Sequence, residues 1–143
     1  MKIEFTSYEQ KFNTCKKLFT CIFGEKSEDY PEYDVFNLVK PEDCDAFIGV
    51  IEQYFDEDKR LTKRMRETLV WRFRDGQSLE EIARKYHISA EKVRCFEAFT
   101  LRRFRHPRCS KKLIAVLKPH FEVIDARQRK DHPEWFPDDE SKN

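Results

Sequence analysis

The chain has 143 residues, of which 39% are hydrophobic, 38% charged and 14% aromatic, with only 3 Gly; this is apolar material for one helical core and too little glycine for a turn-rich β protein. The longest apolar run is a few residues and the opening MKIEFTSYEQKF has no hydrophobic stretch, so neither a membrane span nor a secretory leader is expected. The net charge of +1 hides segregation: residues 1–58 carry 6 Lys/Arg against 14 Asp/Glu, residues 59–130 carry 21 against 8, and residues 131–143 carry 1 against 5, so a basic middle able to attract polyanions lies between acidic ends.

Ser7 and Gln10 have the spacing of a capping box, and Tyr8, Phe12, Cys15, Phe19 and Ile22 follow at helical spacing, so a helix is expected over 8–23 with Gly24 as its stop. Residues 24–40 form an acidic, aromatic connection with a short strand or turn near Val35–Val39. Pro41 suits a first helical position, and Glu42, Asp43 and Asp45 suit the positive start of a helix. Ala46/Phe47, Val50/Ile51 and Tyr54/Phe55 repeat every four residues, which predicts a second helix over 42–56. The run Asp56 to Arg60 marks the shift in composition.

Thr62 can cap a third helix with Met65, Leu69, Val70 and Phe73 as its buried stripe, ended by Asp75-Gly76. Ser78-Leu-Glu-Glu81 is a capping box for a short fourth helix with Leu79, Ile82, Ala83 and Tyr86 on its apolar side. After His87-Ile88-Ser89, a fifth helix is expected over 90–104, with Val93, Phe96, Leu101 and Phe104 inward and a break at His106-Pro107. Ser110 can cap a sixth helix that runs to Leu117 and stops at Pro119, and the acidic, proline-bearing end PEWFPDDESKN (133–143) is expected to fray.

A short helix, a three-residue turn and a longer helix make a helix-turn-helix. Small Ala83 lets the second helix pack closely, Ile88 can plug the junction, and Val93 and Phe96 hold the second helix from beneath. Ser89, Ala90, Glu91, Arg94 and Cys95 remain outward near its start, the surface that would enter a major groove. The same spacing also fits a plain helical hairpin in an all-α core. All 13 arginines lie between Arg60 and Arg129, and the guanidinium fork matches phosphate and guanine edges.

Residues 61–118 resemble region 4 of bacterial sigma-70-type sigma factors. The resemblance is carried by Leu61-Thr62 through Arg72-Phe73, by Ser78-Leu-Glu-Glu-Ile82-Ala83, by Val93-Arg94 through Glu97-Ala98, by Leu101-Arg-Arg-Phe104, and by Arg105-His106-Pro107. It implies a module that reads the −35 promoter element in the major groove and docks on the flap of the RNA polymerase β subunit. Carried over by position, Glu91 would accept from cytosine N4–H, while Lys92 and Arg94 would clamp phosphates or reach a base edge. Arg64, Arg72 and Arg84 would face the DNA backbone, and Ser89 would favour a phosphate at the helix start. Arg102 and Arg103 complete the DNA-binding set.

This chain departs from the family pattern at three places. Ala90 stands where the family has a base-contacting Arg, and Cys95 where it has Gln, so a forked guanine contact and an amide pair are both missing; Ala90 could instead touch a thymine methyl. Phe99 replaces a basic residue and is expected to make a protein contact. No stretch resembles the aromatic-rich helices by which sigma factors bind the polymerase clamp and melt the −10 element. The expectation is therefore a stand-alone region-4 protein: a phage or mobile-element regulator, or half of a split sigma factor.

The expected architecture is all-α: an acidic, mainly helical N-terminal region over 1–58, a sigma region-4-like helix-turn-helix domain over 59–118, and a C-terminal tail over 119–143. The expected ligand is double-stranded DNA. The polymerase β-flap or a split-sigma partner is the expected protein partner, no membrane is involved, and a homodimer stays open. The acidic region can extend the core, offer a partner surface, or screen the basic module as an internal DNA mimic. A docking module with little DNA reading, and a packaging or recombination protein of a mobile element, are the alternative functions. Five cysteines without a C-x-x-C pair fit reduced thiols in a cytoplasmic, nucleoid-associated protein. His106 and Cys109 are close, and His120 and His132 follow, but without metal-ligand spacing, so no metal is expected. No nucleophile pairing or Gly-rich phosphate loop is present and Glu80/Glu81 belong to a helix start, so neither catalysis nor a cofactor is expected.

Overall fold

The computed structural model describes residues 1–24 and 29–137; residues 25–28 of the acidic connection and 138–143 of the tail lie outside the described residues. Among the described residues there are six α-helices and no strand: α1 (Tyr8–Phe23), α2 (Pro41–Glu57), α3 (Lys63–Phe73), α4 (Leu79–Tyr86), α5 (Ala90–Phe104) and α6 (Pro107–Asp131). Short 3-10 turns occupy Pro31–Tyr33, Val35–Asn37 and Pro133–Trp135. The strand or turn expected near Val35 is a turn. No described helix is long and apolar enough to cross a membrane.

The helix starts follow their capping residues. Ser7, Thr62, Ser78 and Ser89 each accept a hydrogen bond from the backbone N–H three residues on, which satisfies an otherwise orphaned donor. The box at α1 is only half closed, because Gln10 Oε1 accepts from the Thr6 N–H at 2.8 Å rather than from Ser7. Pro41 opens α2, and the Asp43 carboxylate accepts from the Lys40 N–H at 2.9 Å. Gly24 ends α1 in the left-handed region, φ 70°, where a glycine carries no steric cost.

Two hydrophobic cores share two helices. The larger is built on Leu18, Phe19 and Ile22 of α1, Phe47, Ile51 and Phe55 of α2, Leu69, Val70 and Phe73 of α3, Leu101 and Phe104 of α5, and Leu113 and Leu117 of α6. The smaller holds Ile82 and Ala83 of α4 and Val93 of α5, with Trp71, Leu79, Tyr86, Ile88 and Ala90 around them. The acidic segment is therefore continuous with the core of the basic one. Phe99 packs against the larger core, as its aromatic character predicts.

Polar contacts reinforce this join. Arg103 Nε donates to Asp58 Oδ2 at 2.7 Å, and Arg105 donates to the carbonyls of Cys21 and Ile22 at 2.7 and 2.9 Å, closing the C-terminal end of α1. Burial alone would raise the Asp58 carboxyl; the hydrogen bonds from Arg103, the Arg60 N–H and the Tyr54 hydroxyl hold it below its ordinary value instead.

The sixth helix departs from expectation. It begins at Pro107 with His106, not Ser110, as its cap, and it runs through Pro119 to Asp131, so the stop expected at Pro119 does not occur and residues 119–131 are helical. Proline inside a helix costs about 3 kcal/mol through its missing N–H and its clash with the carbonyl four residues back. Here Pro119 and Ala115 are both exposed, so the proline lies on the solvent side of the helix. Tertiary contacts beyond the proline offset the remainder. Phe121 packs on Phe19 with ring centroids 5.8 Å apart, Ile124 is buried, His120 Nε2 meets Asp43 Oδ2 at 2.7 Å, and Tyr33 donates to Asp131 at 2.9 Å.

Two measurements test this account. Pro119→Ala raises the melting temperature, by the equivalent of about 1–2 kcal/mol once the local cost of the proline is relieved; an unchanged or lower value would show that the proline carries no net cost here. Asp58→Asn lowers stability by about 2 kcal/mol at neutral pH. Because the native carboxyl lies below its unfolded value, the contribution is complete above the ordinary carboxylate range and is lost as pH falls through the native value. The two proteins therefore converge in stability on acidification, read by thermal unfolding from pH 7 to 3.

Candidate nucleic-acid interface

The site is assembled by α3, α4 and α5. The Ser78 hydroxyl accepts from Glu81 N–H at 3.1 Å and the Glu81 carboxylate reaches back to Ser78 N–H at 3.5 Å, which starts α4 at a fixed point. Ile82, fully buried, and Ala83 bring α4 against Val93 of α5. The chain then turns at His87, a non-glycine residue at φ 56°. The His87 and Ile88 N–H groups return to the carbonyls of Arg84 and Ala83 at 3.4 and 3.1 Å, closing α4 and redirecting the backbone into the Ser89 cap. The left-handed residue costs roughly 1 kcal/mol, offset by the apolar junction around Ile88.

The far side of the module is clamped by aromatic and cationic side chains. The Trp71 and Tyr86 rings lie 5.5 Å apart. The Lys85 ammonium sits 4.3 Å from the Trp71 ring, and the Arg64 guanidinium 4.8 Å from the Tyr86 ring. Tyr86 is pushed up to about 12 by burial, then by the negative charge of Glu67.

The structure sorts the sequence-derived candidates into two groups. Ser89, Glu91, Lys92, Arg94 and Cys95 are exposed on the first two turns of α5, Ala90 is half-buried beside them, and Arg64 and Arg84 are exposed on the neighbouring helices. Nothing among the described residues covers this surface: the side chains of Glu91 and Arg94 are 67% and 57% exposed. Arg72 and Arg103 are placed differently. Arg72 pairs with Glu97 and donates to the Gln77 carbonyl at 3.0 Å, tying α3 to α5 and to the start of α4. Arg103 pairs with Asp58 and contacts the Tyr54 hydroxyl. Neither presents a free guanidinium fork: both side chains brace the module. Arg102 is exposed over Phe99 but lies twelve residues beyond Ala90, about 18 Å along the helix, away from the reading end.

One internal contact was not legible in the sequence. Arg94 grips the Glu91 carboxylate with both arms, Nε at 2.9 Å and Nη2 at 2.5 Å. This bidentate pair lowers Glu91 and raises Arg94. The Cys95 thiol lies 3.9 Å from the same carboxylate. The two charged side chains thus satisfy each other. All five thiols are free, with Cys15, Cys44 and Cys109 buried. Among the described residues no group of three or more His, Cys, Asp or Glu is arranged to hold a metal ion.

Comparison with known proteins agrees with this geometry. The model of the family "Sigma-70, region 4" matches residues 59–106. The RNA polymerase sigma factor SigA of Clostridium acetobutylicum is 39% identical over 77 residues, covering 51% of this chain and 20% of that protein. The chain therefore spans only about a fifth of the length of that relative. No solved structure matches the chain. The shared sequence and the capped helix–turn–helix built on Ala83, Ile88 and Val93 give residues 59–106 the pattern and the local fold of a sigma-70 region 4 module.

Proposed function

We propose that this protein is a transcription regulator that binds promoter duplex DNA by inserting the first two turns of α5 into the major groove. The observation that carries the reading is the exposed α5 start, which bears the exposed cations Lys92 and Arg94, with the exposed Arg84 of α4 beside it. Ser89 and the amides of the α5 N-terminus favour a phosphate at the groove edge. Glu91 can accept from cytosine N4–H once Arg94 swings to a phosphate or to a guanine edge. In that exchange each charged group trades one partner for another, and neither is left desolvated and alone. The similarity to a protein named an RNA polymerase sigma factor supports RNA polymerase as the protein partner, with the β-flap as the docking point implied by the module.

A second reading is favoured by the Glu91–Arg94 pair itself. If that pair stays closed, the module docks on polymerase with little base reading of its own. Selection from a randomised duplex library separates the two readings. An enriched motif supports the first; none, with β-flap binding retained, supports the second.

The division of the arginines gives a sharper test. Arg84→Ala and Lys92→Ala each weaken duplex binding and reduce the slope of log K against log salt by roughly one, the signature of a lost phosphate contact. Arg103→Ala lowers the melting temperature and leaves that slope unchanged. Equal slopes for all three variants would show that the exposed and braced cations do not differ in their use.

A further inference from the structure

The start of α5 offers two kinds of surface. The charged one, Glu91 with Arg94, is closed on itself through two hydrogen bonds, so a base must displace an existing partner to use it. The other is an open notch at the junction of α4 and α5, with Ala83, Ile88 and Ala90 as its apolar floor and Glu80, Arg84 and His87 at its rim. Ala83 is buried, while Ile88 and Ala90 remain partly open. None of the three floor side chains carries a hydrogen-bonding group, so no internal partner competes for that surface.

We infer that this notch seats the 5-methyl group of one thymine in the bound duplex and thereby sets the base preference at that position. The inference rests on the DNA reading proposed above and says which base chemistry that reading uses. Among base edges in the major groove, only thymine presents a methyl group. A floor of alanine and isoleucine carbons accepts it with no loss of hydrogen bonding. The amino group of cytosine or adenine, or the O6 of guanine, would lose water over that floor and find no partner among the three floor side chains. Arg84 at the rim holds the neighbouring phosphate and brings the base edge over the floor.

The test uses the full chain and the duplex enriched from a randomised library. Each thymine is replaced singly by deoxyuridine, which removes only the methyl group. One position shows a loss of about fourfold in affinity, the factor expected from burying one methyl, and the others show none. With Ala90→Gly, or with Ala90→Ser if glycine weakens the start of the helix, thymine and deoxyuridine become equivalent at that position while Arg84→Ala weakens both equally. If deoxyuridine is tolerated at every position of a tightly bound site, the inference is overturned and the DNA reading stands. If no duplex is bound above background, both fall together.

Discussion

The molecule depends on α5 being shared between two cores. Its first half is pinned by Val93 against Ile82 and Ala83, and its second half by Leu101 and Phe104 against α1, α2 and α6. A single helix cannot pivot at one end while its other end is locked in a larger core. The reading end is therefore held at a set angle to the whole body of the protein. A sixty-residue helical module buries limited apolar area by itself, and here that shortfall is met by α1, α2 and α6. Phe47, Phe55 and Phe104 are each nearly inaccessible, and truncating any one of them in such a site costs about 3–5 kcal/mol.

The charge segregation acquires a physical meaning in this arrangement. Part of the positive charge of the middle segment is used internally: Arg72 on Glu97, Arg103 on Asp58, Arg74 on Asp75 and the Glu4 carbonyl, Arg105 on the end of α1. These groups join the acidic and basic segments and fix α3 and α5. Those that stay exposed at or beside the α5 start, Arg84, Lys92 and Arg94, form the cationic face. The acidic segment packs against the opposite end of α5 and leaves this face uncovered. It extends the core, and among the described residues none of it lies over the start of α5.

Much of the local structure is legible in the residues because it is set by short-range chemistry. A hydroxyl at a helix start finds the N–H three residues on whatever the rest of the chain does. That is why Ser7, Thr62, Ser78 and Ser89 mark the boundaries of α1, α3, α4 and α5. The helix-turn-helix is legible for the same reason: its core residues, Ile82, Ala83 and Val93, lie within twelve positions of one another. His87 escaped such a reading, since a left-handed turn is normally announced by glycine or asparagine. Pro119 misled it, since a breaker acts through a local cost that distant contacts can outweigh.

The chain by itself determined the helices, their caps, the turn of the reading module and the imbalance of charge, because each arises between residues a few positions apart. Only the tertiary structure decided which arginines are braces and which are free, because that depends on whether a carboxylate or carbonyl such as Asp58, Glu97 or Ile22 is delivered from elsewhere in the chain. It also decided that α6 passes through Pro119, where Phe19, Asp43 and Tyr33 hold the far half in place. The apolar notch beneath the start of α5 has the same origin, for its floor exists only when α4, the turn and α5 close on one another.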